Sequence, residues 1–336
     1  MKTGRAEATA PCRVDLAGGG LDVWPLCLFH PAAVVVNVAV DRRMWCRVEL
    51  GGEGVHVESK DTLQKAGADR VDELAVDGIL GLVAHALQAL GVESGVRVVT
   101  QSRVPDGAGL GSSSALAVAV GGAVSAALGG PVDPDRLWPV LRDAEARWRG
   151  RPTGPRDFQP ALRGGALALH LEPGQLRVEP LAADPARVEE SLLLIDSGAP
   201  GPEGAHDWDS VKGQIDGDAR IREALTALAA AARETHEALA QGRFEDVVDL
   251  FAREWEARQR LAPGVTTPEI DRVVEVARAA GGAAKPAGAG SGRVVAVWAP
   301  PGARGPGRRE AVQEALTGAG FRVFPARVDL RGLEVS

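Results

Sequence analysis

The chain has 336 residues, 45% of them hydrophobic, enough to give two domains of ordinary size a core each. Its formal net charge of -7 excludes the broad basic surface by which a protein wraps nucleic acid. Every apolar run is broken by Gly, Pro, Asp or Arg before the roughly 20 residues of a bilayer span, so no membrane partner is expected.

In chain order, residues 10–17, 33–40, 45–50 and 96–101 read as strands, with a helix over 78–90 that Gly91 stops. A Gly-rich turn at 105–111 then feeds a helix of small residues over 112–128. A second helix follows over 134–148, after a Gly-Gly-Pro break. Short apolar segments at 166–171 and 176–178 read as a hairpin, and a domain boundary is expected near residue 185. The second half opens with a strand over 191–196 and a polar loop to about residue 217. Helices over 219–240, 244–260 and 267–280 come next, then a Gly-rich strand-turn-strand over 284–297 and a last helix and strand. No fixed-period repeat occurs, and the elements lack a strict βαβ rhythm, so an α+β fold in two lobes is expected.

Cys12, Cys27 and Cys46 are an odd set with no CxxC spacing, and no signal peptide precedes them, which fits a reducing cytoplasm. The six histidines lie scattered from His30 to His236 with no i, i+4 pair, so no dedicated transition-metal centre is expected.

The most informative stretch is Pro-Asp-Gly-Ala-Gly-Leu-Gly-Ser-Ser-Ser-Ala at 105–115, between a predicted strand and a predicted helix. Gly107, Gly109 and Gly111 let the backbone turn with its N–H groups inward, and the helix start behind them adds positive partial charge, so a polyphosphate is the natural guest. Of Ser112, Ser113 and Ser114, one can cap the helix and another can reach a phosphate or a magnesium ion. A Walker P-loop is excluded because Ser112 stands where its Lys belongs, and a Rossmann fingerprint because position 112 is not Gly. A Gly-rich helix entry that binds nothing is the plain alternative.

Residues 105–114 match Pro-x-x-x-Gly-Leu-Gly-Ser-Ser plus a small residue, the central motif of the GHMP kinases, and the sequence resembles that family in three further places. The segment 10–22, with Arg13, Gly19, Gly20 and Asp22, is similar to the sugar-binding segment of the branch acting on heptose phosphate, fucose and related sugars. The segment 154–157 resembles the one that carries the family's catalytic aspartate, here Asp157, and Glu145 stands twelve residues before it. Residues 255–271 and 285–292 look like the last family blocks, with Lys285, Gly288 and Gly290 in a second Gly-rich loop.

The resemblance implies a two-lobed fold, a mixed-sheet N-terminal lobe over 1–185 and a ferredoxin-like C-terminal lobe over 186–336. It implies an ATP-dependent kinase acting on a hydroxyl of a sugar or sugar phosphate, with Mg2+ as cofactor. The loop from Pro105 through Ala108 and Leu110 to Ser114 would hold the ATP phosphates, and Ser113 and Glu145 the metal. Asp157 and Arg13 would be catalytic, while Asp22, Gly19, Gly20, Lys285, Gly288 and Gly290 would hold the acceptor. The chain would work as a monomer or homodimer in the cytoplasm. The bland reading of Glu145 is a solvated helix face shared with Arg142 and Arg149.

Departures from the pattern cluster at the expected acceptor pocket. Leu21 replaces Thr, Arg156 and Phe158 flank Asp157 where Gln is usual, and Ser291 and Arg293 interrupt the last loop. The loop after Asp196 lacks the branch's Thr-Gly-x-x-Arg, and the Gly-Glu-His of galactokinases is missing after Leu16. A heptose 7-phosphate-like acceptor is favoured, then a neutral hexose, then a mevalonate-type acid. A catalytically weakened binding protein on the same fold is the alternative from another class.

Overall fold

The computed structural model describes residues 4–74, 77–105, 107–198, 205–262, 264–288, 290, 292–302 and 308–336, the side chains of 205–207 excepted. The first lobe comprises β1 (Gly4–Ala17), α1 (Leu26–Phe29), β2 (Ala33–Leu50), β3 (Val55–Ser59), β4 (Lys65–Ala68), α2 (Gly78–Ala89), β5 (Val96–Ser102), α3 (Ser112–Ala127), α4 (Pro134–Arg149), α5 (Phe158–Arg163), β6 (Ala166–Glu172) and β7 (Gln175–Pro180). The second comprises α6 (Pro185–Ser191), β8 (Leu192–Asp196), α7 (Ala205–Asp216), α8 (Ala219–Ala240), α9 (Asp246–Gln259), α10 (Pro268–Ala279), β9 (Ala283–Pro286), β10 (Val294–Trp298), α11 (Arg308–Gly318) and β11 (Arg322–Pro325), after which β12 (Glu334–Val335) ends the chain. The stretch read as a polar loop to about residue 217 thus holds a helix, α7. Residue 185 opens α6, and we propose the division between lobes there.

The first sheet runs β12-β1-β2-β5-β3-β4, all antiparallel except the β3–β5 pair. The two predicted strands at 33–40 and 45–50 are one strand, β2. Its first half pairs with β6 and its second half with β5. The polar residues Asp41, Arg42 and Arg43, between the two predicted strands, mark the exchange of partner. β12 returns from the far end of the sequence to pair with β1, through Ala8↔Val335 and Thr9↔Glu334. The second sheet has the order β11-β8-β10-β9, all antiparallel, which is the 4-1-3-2 order of a ferredoxin-like lobe.

Helix α3 is composed of small residues because it lies between the first sheet and other helices. A Cβ on Gly121 would come within 2.9 Å of Leu141, and one on Gly122 within 2.9 Å of Leu333. Close approach of backbones is what that composition supplies. Helix α4 starts at an Asp133 side chain that accepts from the Asp135 N–H, with Pro134 at its first position, and stops at Gly150 in the left-handed region. One apolar core joins the β1–β2 sheet to α3 and continues through Leu192, Phe251 and Trp298 into the second lobe. Among the described residues no helix is long and apolar enough to cross a membrane.

Candidate active site

The carbonyls of residues 107–111 are all engaged on one side. Gly107 and Ala108 accept from the backbone N–H groups of Arg293 and Val294 at 2.8 and 3.0 Å, Leu110 from the Arg13 N–H at 2.9 Å, and Gly111 from that of Ala115 at 3.0 Å. The Gly109 carbonyl accepts from Arg13 Nη1 at 2.7 Å. Gly107, Gly109 and Gly111 have φ of 68, 75 and 70°, which only glycine adopts without strain. Among the described residues, the N–H groups of Gly107, Gly109, Leu110 and Gly111 donate to no protein acceptor. Unspent amides at a helix N-terminus, with every carbonyl turned away, form an anion nest. Asp106 lies outside the described residues.

The loop is braced by the second Gly-rich loop, which approaches it at backbone distance. A Cβ on Gly288 would fall 2.5 Å from the Gly109 carbonyl oxygen, and one on Gly292 2.7 Å from Gly109 Cα. Gly288→Ala is therefore expected to push the loops apart, costing about 1–3 kcal/mol of stability and weakening ATP binding. Thermal unfolding and a nucleotide titration check it, and an unchanged variant would show that the contact yields. Ser291 lies outside the described residues. Arg293 grips Asp196, Nη2 to Oδ2 at 2.7 Å, so its charge is spent on the end of β8.

Arg13, on β1, joins the parts of the cleft. Its Nε donates to Asp157 Oδ1 at 2.7 Å and its Nη1 to the carbonyls of Gly109 and, at 3.2 Å, Ala287. Burial alone would raise the Asp157 carboxyl, but Arg13 and then Arg156 outweigh it and hold the group below the usual carboxylate range.

Ser113 and Glu145 meet as the sequence implied. The Ser113 hydroxyl donates to Glu145 Oε1 at 2.5 Å and that of Ser114 to Oε2 at 2.6 Å, with Glu145 1% exposed. The solvated-face reading of Glu145 does not hold, nor does a Ser cap: Gly111 is the N-cap of α3 and no side chain caps it. Arg149, one helical turn on, donates Nε to Glu145 Oε1 at 3.0 Å and Nη2 to Ser113 Oγ at 2.6 Å. Two hard oxygens side by side next to the anion nest suit a magnesium ion, and in this structure Arg149, a quarter exposed, holds both of them.

Two family models match this chain, "GHMP kinases N terminal domain" over residues 77–165 and "GHMP kinases C terminal" over 235–321, together more than half of it. The chain belongs to the GHMP kinases. It is 25% identical to a D-glycero-alpha-D-manno-heptose 7-phosphate kinase of Campylobacter jejuni, over 87% of this chain and 88% of that one. It is 29% identical to a mevalonate kinase of Aeropyrum pernix, over 53% of this chain but only 57% of the relative. Among solved structures, a D-glycero-D-manno-heptose 1-phosphate kinase from Bacteroides thetaiotaomicron superposes with a TM-score of 0.76 at 20% identity, covering 98% of both chains.

Two of the acceptor residues expected of this GHMP kinase sit otherwise than the resemblance implied. Lys285 is fully buried, its Nζ 3.0 Å from Glu254 Oε2 and 4.9 Å from the Phe251 ring centre, so it neutralises a carboxylate beneath the loop instead of reaching a ligand. The Asp22 side chain is wholly buried as well: Oδ1 accepts from Arg156 Nη1 at 3.1 Å and from the Gly20 N–H at 3.2 Å, Oδ2 from the Arg156 N–H at 3.0 Å. It fixes Arg156 and the glycine turn in place of sugar hydroxyls. Gly20 has φ of 97°, and Gly19 packs directly on the Asp15 carboxylate. Gly290 is described, and a half-exposed Gly292 beside it carries the contact with Gly109.

Sequence reasoning missed Arg149, Asn37, Glu254 and Arg258. Asn37 Nδ2 donates to the Arg156 carbonyl at 3.0 Å and so fixes the backbone just before Asp157. Arg149 had a legible signal, its i+4 spacing from Glu145 on a predicted helix. Asn37 had none.

Proposed function

We propose that the protein transfers the γ-phosphate of ATP to a hydroxyl of a sugar or sugar phosphate, with the anomeric hydroxyl of a heptose 7-phosphate-like acceptor favoured. The observation that carries this is the loop 107–111, whose carbonyls are all engaged while the N–H groups of Gly107, Gly109, Leu110 and Gly111 stay unspent, next to the Arg13–Asp157 pair. Phosphoryl transfer asks for alignment and charge neutralisation more than for covalent chemistry. The amides of the nest would hold the β- and γ-phosphates. Ser113 and Glu145 would hold Mg2+, which when bound neutralises phosphate oxygens. Asp157 would accept a hydrogen bond from the attacking hydroxyl, and Arg13, tied to Gly109, Ala287 and Asp157, would keep acceptor and phosphate sites in register.

The heptose-phosphate kinase named above, alignable over most of both chains, supports the acceptor class. The test is ADP release from Mg-ATP across heptose 7-phosphates, neutral hexoses and mevalonate. Turnover confined to a heptose phosphate is expected. Turnover of a neutral hexose alone would move the acceptor class, and none with any acceptor would sink the kinase reading.

A further inference from the structure

Away from the cleft, three chain segments bring His170 of β6, Glu179 of β7 and His236 of α8 together. His170 Nε2 lies 2.8 Å from Glu179 Oε2, and His236 Nε2 lies 3.5 Å from Glu179 Oε1. One ligating atom from each residue falls within 4.8 Å of the others. The rings meet edge to face, centres 5.3 Å apart at 87°, so the nitrogens converge on one carboxylate instead of the faces stacking. We infer that His170, Glu179 and His236 form a binding site for a divalent transition-metal ion of the zinc type, with a fourth position left for water.

The geometry and the donor set argue for it together. Zinc holds nitrogen and oxygen at about 2.0–2.2 Å in a tetrahedron, which separates neighbouring ligand atoms by roughly 3.4 Å. The two observed separations, 2.8 Å to Oε2 and 3.5 Å to Oε1, bracket that value and run to the two oxygens of one carboxylate, so each imidazole faces its own oxygen. Two imidazoles with one carboxylate select zinc, cobalt or nickel over magnesium and calcium, which take oxygen ligands. A simple hydrogen-bonded His–Glu pair would need one imidazole and leave the second without purpose. His236 Nε2 is shielded from solvent and makes no hydrogen bond among the described residues, a lone pair or N–H that the protein itself does not use. Arg177 Nη1 donates to Glu179 Oε2 at 2.8 Å, which orients the carboxylate with its other oxygen toward His236. All three side chains are partly exposed, which gives an ion a way in.

An ion there would tie the β6–β7 hairpin to α8. Ala232, one turn before His236, backs the acceptor segment: a Cβ on Gly18 would lie 3.0 Å from the Ala232 methyl. The inference does not depend on the kinase reading.

The test is calorimetric titration of the metal-stripped full chain with Zn2+ alone, beside His170→Ala, His236→Ala and Glu179→Gln, the last being a near-isosteric change that keeps the local shape. One saturable site is expected in the wild type, weakened by at least about 100-fold in each variant, since even outer-shell changes cost 10–100-fold. Cobalt should give the intense visible absorption of a four-coordinate site in the wild type only. Equal zinc uptake by wild type and variants would place the ion elsewhere and overturn the assignment, as would no saturable uptake by the wild type. If a His variant fails to fold, Glu179→Gln decides.

Discussion

Asp157→Asn is expected to lower kcat by about 10²-fold, the loss that a misplaced reacting group brings, while ATP binding stays as in the wild type. The split follows from how Arg13 is held. Asn keeps the shape of Asp157, and Arg13 retains two carbonyl partners, Gly109 and Ala287, so the phosphate loop keeps its brace. What is lost is the negative charge facing the acceptor hydroxyl. A carboxylate held below its usual range by Arg13 and Arg156 is a weak proton acceptor, so its part is to orient the hydroxyl, and little proton transfer is needed early in a loose transition state. The sign for pH follows. The charge on Asp157 persists as pH falls through the ordinary carboxylate range, so its loss should leave no acid limb in kcat above about pH 5. Steady-state kinetics with a parallel nucleotide titration check both points. Wild-type turnover in the variant, or lost ATP binding, would remove Asp157 from the role given to it.

Glu254→Ala is expected to cost about 3–5 kcal/mol, because removing one partner of a buried ion pair strands the other. Glu254 and Lys285 are fully buried and Arg258 is 2% exposed, with Arg258 and Lys285 both turned to the Glu254 carboxylate. Among the described residues the other carboxylate that Arg258 meets is Asp15, 3.9 Å from its Nη2, too far for a good hydrogen bond. Burial alone would raise Glu254, but Arg258 and Lys285 outweigh it and bring the group down to about 2. Its contribution is therefore complete above the ordinary Glu range and fades as pH falls from there toward 2. Urea unfolding at neutral pH and at pH 3 measures both effects. The control is Glu245→Ala, which breaks the more exposed pair with Arg308 and should cost no more than about 1 kcal/mol. Equal losses in the two variants would sink the argument.

The contrast between these sites marks what a linear sequence discloses. Motif residues that act through backbone shape were legible: Gly107, Gly109 and Gly111 announced a turn at a helix entry, and the loop has that form. Helix α8 was legible to its ends because its apolar period is regular and Asp218 caps it, accepting from the Ile221 N–H. Side-chain partnerships across the sheet were not. Nothing in local spacing says that Arg156 will close on Asp22, or Lys285 on Glu254, since the first pairing joins two turns 134 residues apart and the second depends on the seating of α9 against β9. The same holds for His170 and His236: the search at helical spacing that excluded a metal centre could not see residues brought together from a hairpin and a helix. The break left between the strands read at 33–40 and 45–50 misled in the opposite sense, because the polar residues Asp41 to Arg43 lie where β2 changes partner.

That change of partner has a consequence for how the first lobe opens. β2 spans 18 residues, lending its first half to β6 and its second to β5, with β1 along most of its length. Neither end of the sheet can melt without exposing amides of the same strand. In hydrogen exchange the N–H groups at 34–38 and at 44–50 should therefore exchange slowly and respond to denaturant with one slope, as a single cooperative unit, while the short strand β4 at the sheet's far edge exchanges early.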